Sequence, residues 1–215
     1  MPATITAQAV INRAKLILND PTSVRWTEDE MILWLNEAQR VIAKETTDAS
    51  NTVTAGYALL AGTMQNLPVD SFRLIKIYKE DDTEGSVLFS DVSVLDAMLP
   101  SWRAGATGKI TDYFYDARDP LRFQVYPPQA GGETIRIVTH AYLPDVVISD
   151  PIGVPYHYEE ALLNYILYRC FMKDDEESTG DSSRAGTFYN AFLVGIGRKE
   201  MLDPVVEPVA RRTDQ

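Results

Sequence analysis

The hydrophobic period of this chain changes twice, and no other feature constrains its fold as much. Residues 1–50 repeat apolar side chains at the helical period, residues 51–149 break into short alternating runs, and residues 155–202 return to the helical period. One helix face recurs every three to four residues and one strand face every two, so no regular element crosses either change. The expected fold class is α+β. A mainly helical body combines an N-terminal helix pair in 1–50 with a C-terminal helix pair in 150–202. A β-rich, antiparallel lobe over 51–149 is inserted between them, and 203–215 form an extended tail.

Local signals place the elements. Thr6 is a candidate cap for a first helix with Val10, Ala14, Ile17 and Leu18 on one face, and Asn19-Asp20-Pro21 stops it, because proline cannot continue the ladder. Thr27 and Glu30 form a capping box that opens a second helix with the stripe Met31, Trp34, Leu35, Ala38, Val41 and Ile42. In the middle section, Thr52 to Leu60 and Thr63 to Leu67 flank Ala61-Gly62, which predicts a hairpin turn. Phe72 to Tyr78 alternates, with Phe72, Leu74 and Lys76 against Arg73, Ile75 and Ile77. Val87-Leu88-Phe89, Ile110 to Tyr115, Leu121 to Tyr126 and Thr134 to Tyr142 complete about six short strands, with a short helix expected over Asp91 to Met98. Pro155, Glu159 and Glu160 suit the start of a third long helix. A charged loop over Lys173 to Ser183 leads to a fourth, with Ala185, Phe188, Tyr189, Phe192 and Ile196 on one face.

Charge narrows the function classes. The 215 residues carry a net charge of −11, spread as −2, −5 and −4 over residues 1–50, 51–150 and 151–215. An acidic surface repels phosphate backbones at long range, which argues against nonspecific nucleic-acid binding through a basic face. One cysteine, Cys170, leaves no internal disulfide to support the fold. Met1 to Gln8 lacks the pattern of a signal peptide, and no apolar run approaches a membrane span, so a soluble protein made in the cytoplasm is expected.

The catalytic motifs fail on their chemistry. Gly105-Ala-Thr-Gly108-Lys109 lacks the first glycine and the final hydroxyl of a phosphate-binding loop, with Arg103 and Ile110 at those positions. Asp175 to Gly186 ends in glycine where a calcium loop needs a bidentate carboxylate. His140 and His157 have no ligand spacing, and Cys170 sits in an apolar helix where a buried hydrophobe is the ordinary role. Asp174 to Glu177 is a consecutive acidic run of the kind that faces solvent. No catalytic, cofactor or metal residues are therefore assigned.

Aromatic residues are the remaining signal. Tyr156, Tyr158, Tyr165, Tyr168, Phe171, Phe188, Tyr189 and Phe192 crowd the C-terminal helix pair, where they either form the core or face a neighbouring subunit. In the tail, Val205, Val206 and Val209 offer apolar anchors, and Arg211 and Arg212 offer partners for carboxylates. With Tyr165, Tyr168 and Arg169, these form the candidate partner interface.

Order and wording resemble a known family. Asn19-Asp20-Pro21, Arg25-Trp26-Thr27-x-x-Glu30 and Leu33 to Arg40 look like the opening of the head-to-tail adaptors of tailed bacteriophages, closest to the tail tubular protein A type. Leu67-Pro68-Val69-Asp70 with Arg73-Leu74-Ile75 resembles the family's first β element. The C-terminal likeness lies in Pro155-x-x-Tyr158, Ala161-Leu162, Tyr165-x-Leu167-x-Arg169, Asp174 to Glu177 and Tyr189-x-x-Phe192. The resemblance implies a structural virion protein at the head–tail junction. It implies a ring, commonly dodecameric, that docks on the portal protein, extends the DNA channel without specific DNA binding and receives a tail nozzle or tail-completion protein. It implies no cofactor, no reaction and no membrane. The alternatives are a tail-completion or neck protein, a tail-associated hydrolase, and a cytoplasmic scaffold outside the particle.

Overall fold

The computed structural model describes residues 5–80, 87–174 and 181–197. The chain divides into two compact units, one formed by residues 1–46 with 144–215 and the other by 47–143. Among the described residues there are five α-helices and two antiparallel-rich sheets, an α+β mixture.

The helical unit holds α1 (Ala7–Leu18), α2 (Glu28–Glu45), α4 (Glu159–Asp174) and α5 (Asp181–Gly195). Thr6 caps α1 through a bond from the Ala9 N–H, and Asn19 ends it in the left-handed conformation at φ 55°, which asparagine tolerates. The Asp20 carboxylate then accepts the N–H groups of Val24, Arg25 and Trp26 at 2.9–3.2 Å, which shapes the turn into α2. Burial opposes ionisation there, yet these three donors hold the Asp20 carboxyl below the usual carboxylate range. The Thr27–Glu30 capping box forms in full. Ala7, Val10, Ile11 and Ala14 of α1 and Met31, Leu35, Ala38, Ile42 and Ala43 of α2 are buried. They share the unit with Leu162, Ile166 and Cys170 of α4 and Phe192 of α5, also buried. Helices α4 and α5 approach closely at one point, where a Cβ on Gly195 would lie 3.1 Å from the Ala161 Cβ.

Two expectations for this unit change. Ile17, placed on the apolar face of α1, is exposed, and Trp34 is only half-buried. The buried tryptophan is Trp26, just before α2, and its indole N–H donates to the Cys170 carbonyl at 3.2 Å. A helix that meets its neighbours over a narrow arc buries fewer of its apolar positions than its stripe contains.

The second unit is a pair of sheets. Strands β1 (Asn51–Ala58), β7 (Thr134–Ala141) and β3 (Ser71–Lys79) form one, in the order β1-β7-β3. Strands β2 (Gly62–Asn66), β6 (Arg122–Gln129), β5 (Asp112–Phe114) and β4 (Leu88–Phe89) form the other, in the order β2-β6-β5-β4. Leu74, Ile77, Ile135 and Ile137 from the first sheet join Tyr113, Phe123 and Val125 from the second in one apolar core. A short helix, α3 (Val92–Met98), capped by Asp91, joins β4 to β5. Trp102, in the one-turn helix Trp102–Ala104, packs on Phe114 and Tyr126 and bonds back to Asp96 of α3, so this connection lies over the outer face of the second sheet.

Three strand-level expectations are corrected. The predicted hairpin at Ala61-Gly62 does not form: β1 pairs with β7 and β2 with β6, so the turn carries the chain between sheets. The pair β4–β5 is parallel rather than antiparallel. Strict alternation in β3 also fails, because Ser71, Leu74 and Ile77 are the buried positions. Register shifts between Ser71 and Arg73 and between Leu74 and Lys76 each leave one extra residue on β3, which turns a period of two into three. A further irregularity in β1 falls at Gly56, with φ at +64°, a conformation that glycine adopts without strain.

Candidate functional site

Three groups of polar or aromatic side chains are assembled from residues distant in sequence. The first closes the helical unit. Asn36 on α2 exchanges two 3.0 Å bonds with the backbone of Val146, and Gln39 donates to Asn36 and accepts the Gly153 N–H. Both amides are buried, so these bonds replace water that the groups would otherwise need. Ion pairs join the same distant segments: Arg13 with Glu159 and Glu160, Lys173 with Glu30 at 2.6 Å, Arg169 with Glu37 at 2.6 Å, and Arg40 with Asp145. The Lys173 ammonium holds the Glu30 carboxyl below its ordinary value, and Lys15 does the same to Glu28.

The second group is the aromatic seam between α4 and α5. Tyr165 stands edge-on to Phe192 with ring centres 5.0 Å apart, Tyr168 meets Tyr189 at 4.9 Å, and Phe171 stacks on Phe188 at 5.5 Å. Tyr165 is buried, which pushes its phenol above the ordinary value, against a bond from Arg169. Arg169 is half-buried between that phenol, the Glu37 carboxylate and the Trp34 ring.

A buried Ser50–His140 pair forms the third, with the hydroxyl 2.7 Å from Nδ1. It has the residue types of a nucleophile and its base. The imidazole is covered by Phe72, stacked at 5.8 Å, and both residues are more than nine-tenths buried, so no substrate reaches the hydroxyl. Burial, with the positive charge of Arg73, pushes the imidazole below its ordinary value, the behaviour of a structural histidine.

A cleft of about 420 Å³ opens in the second unit beside β5 and β6. Met64, Phe89, Phe114 and Phe123 line it, and on its rim Arg118 pairs with Asp116 at 2.8 Å and Arg122 with Asp119 at 2.9 Å, while Asp91 accepts from Ser93. An apolar floor whose two arginines are already paired suits an apolar side chain from a partner better than an anionic small molecule. Among the described residues, no group of three or more His, Cys, Asp or Glu side chains is placed to hold a metal ion.

The structure brings three of the sequence-derived interface residues together: Tyr165, Tyr168 and Arg169 share one stretch of α4, with Tyr165 turned into the unit's own core. Val205, Val206, Val209, Arg211 and Arg212 lie outside the described residues, as does most of the acidic run from Asp174 to Glu177. Sequence reading used Asn36, Gln39 and Trp26 only in the family likeness and gave them no structural role, although amides at i and i+3 beside an apolar stripe are a visible oddity. Among known proteins, the model of the SU10 adaptor protein family matches residues 5–212. No curated protein matches the chain.

Proposed function

We propose a ring-forming role for this chain, which belongs to the SU10 adaptor protein family and is a structural head-to-tail adaptor of a tailed bacteriophage. The single observation that carries the reading is a family match over almost the whole chain. As an adaptor it is a virion component that meets portal and tail proteins, and no described helix is long and apolar enough to cross a membrane.

In the finer reading, copies of the chain close a ring, dodecameric as in the tail tubular protein A type, beneath the portal. The ring extends the DNA channel and receives a nozzle or completion protein. Its net charge of −11 supports such a passage, because a channel wall that repels phosphate lets DNA slide. The helical unit is the ring body and the β-rich unit lies to the periphery or the tail side. Tyr168 and Arg169 serve a subunit contact, and residues 203–215 anchor through Val205, Val206, Val209, Arg211 and Arg212.

Mixing the purified chain with its phage's portal ring, and weighing the complex by light scattering after size exclusion, tests the reading. A discrete complex with a full ring of added mass is expected, and deletion of 203–215 should weaken docking without unfolding the chain. A well-formed portal that takes up no protein would overturn the adaptor ring, and unchanged docking after the deletion would remove the tail as anchor.

A further inference from the structure

The β-rich unit leaves two surfaces uncovered on opposite sides. The first is the outer face of the sheet β1-β7-β3. Ile135 and Ile137 of β7 point into the core, so Arg136 and Val138 point outward, and residues directly across a strand pair share a face. Register therefore sets Lys76 and Val53 beside Val138, Tyr78 beside Arg136, and Arg73 beside His140. The Lys76 ammonium lies 4.6 Å from the Tyr78 ring centre, which agrees with one shared face. Arg73, Lys76 and Val53 are exposed, and neither cation has a carboxylate partner among the described residues.

The second surface lies over the other sheet. Helix α3 has no buried residue, although five of its seven positions are apolar. Val94 and Met98, one turn apart, are 56% and 73% exposed, and Leu88 of the edge strand β4, set beside Asp112, is 59% exposed. An apolar stretch of this kind marks an interaction site. Its charges have the opposite sign. Asp91 accepts the Ser93 N–H and hydroxyl, Asp112 accepts the Ser90 and Thr111 hydroxyls, and neither meets a cation among the described residues.

We infer that these two surfaces bind each other between copies of the chain, the cationic face with Arg73 and Lys76 of one copy seating on the α3–β4 surface of the next. Two cations and two carboxylates that lack opposite-charge partners among the described residues meet, and Val53 and Val138 meet Val94, Met98 and Leu88. The surfaces differ and lie on opposite sides of one unit, so the contact is head-to-tail and propagates around a ring. This rests on the ring reading above and adds the β-rich unit as a subunit contact. The overall acidity of the chain favours an acidic partner surface of its own kind over a nucleic acid.

Charge reversal tests it on the full chain. Arg73→Glu with Lys76→Glu reverses the first surface, and Val94→Lys with Met98→Lys and Asp91→Asn makes the second net cationic, with asparagine keeping the cap of α3. All five residues are exposed, so the melting temperature of both variants should match that of the native chain. Each variant alone should lose roughly tenfold or more in self-association, read as copies per portal ring and as mass in solution. An equal mixture should recover, because each contact then pairs opposite charges again. Full assembly of either variant alone, or a mixture that fails to recover, would overturn the inference while the native chain's loading on portal still supports the ring. Native protein that neither self-associates nor loads on portal would remove both. Loss of a fluorescent single-stranded oligonucleotide by the Arg73/Lys76 variant, with its assembly unchanged, would assign the face to nucleic acid instead.

Discussion

The two units solve the same closure problem by different means. In the helical unit, four ion pairs reach more than a hundred residues along the sequence: Arg13 to Glu159, Glu30 to Lys173, Glu37 to Arg169 and Arg40 to Asp145. Buried amides Asn36 and Gln39 reach as far, to Val146 and Gly153. In the β-rich unit, three ion pairs are local, Arg103 with Asp96, Arg118 with Asp116 and Arg122 with Asp119. There the long-range work falls to the apolar core and the ladders of β7. Distant polar groups are directional and select which segment docks. Apolar burial supplies free energy without choosing a partner, so the sheets need backbone register for that choice.

Core truncations should separate the units most sharply. Phe123→Ala in the β-rich core and Trp26→Ala in the helical unit should each cost about 3–5 kcal/mol, the latter also removing the indole donor to the Cys170 carbonyl. Fluorine labels on the tryptophans distinguish the two, because Trp102 lies in one unit and Trp34 in the other. Phe123→Ala should lower only the Trp102 transition in urea, and Trp26→Ala only that of Trp34. A single transition shifted by both variants would mean that the units unfold together.

Gln39→Ala should come next, at about 1–3 kcal/mol, because it strands the Gly153 N–H and leaves the Asn36 oxygen with the Val146 N–H as its remaining donor. A smaller shift than that of an exposed substitution would show that water replaces the amide. Mild acid acts on the β-rich unit first. With its folded value lowered, His140 binds fewer protons in the folded than in the unfolded chain. Its contribution is whole above the ordinary value of about 6.5 and declines as pH falls below it. The Trp102 transition should therefore weaken between pH 7.5 and 5.5, and His140→Gln should flatten that dependence. Glu28 and Glu30 have lowered values, so their clasps to Lys15 and Lys173 persist until pH falls below the ordinary glutamate range. Smallest of all, Arg118→Ala should leave the denaturation midpoint unmoved, since that pair is exposed and spans two residues.

Local chemistry was legible where it was self-contained. Thr27 with Glu30, Thr6 before Ala7, the stop at Asn19-Asp20-Pro21 and the short helix over Asp91 to Met98 all rest on a few neighbouring residues, and all appear as expected or close to it. The adaptor resemblance, carried by residues spread through the chain, agrees with the family match. Of the candidate interface, only the clustering of Tyr165, Tyr168 and Arg169 on one helix was readable. Neither the cationic sheet face nor the apolar face of α3 was, since each depends on which side of its sheet the core occupies.

The sequence by itself determined where the hydrophobic period changes, where helices start and stop, and the acidity of the whole. Those properties come from side chains acting on their own backbone or summed over the surface, and they need no partner. Tertiary structure decided that β1 joins β7 rather than β2, that bulges at Phe72 and Ile75 bring every third residue of β3 inward, and that Trp26 rather than Trp34 is buried. Each of these depends on a segment tens of residues away. Many registers satisfy a short apolar run equally well, and only the one that fills a common core and pairs the backbone at once is retained.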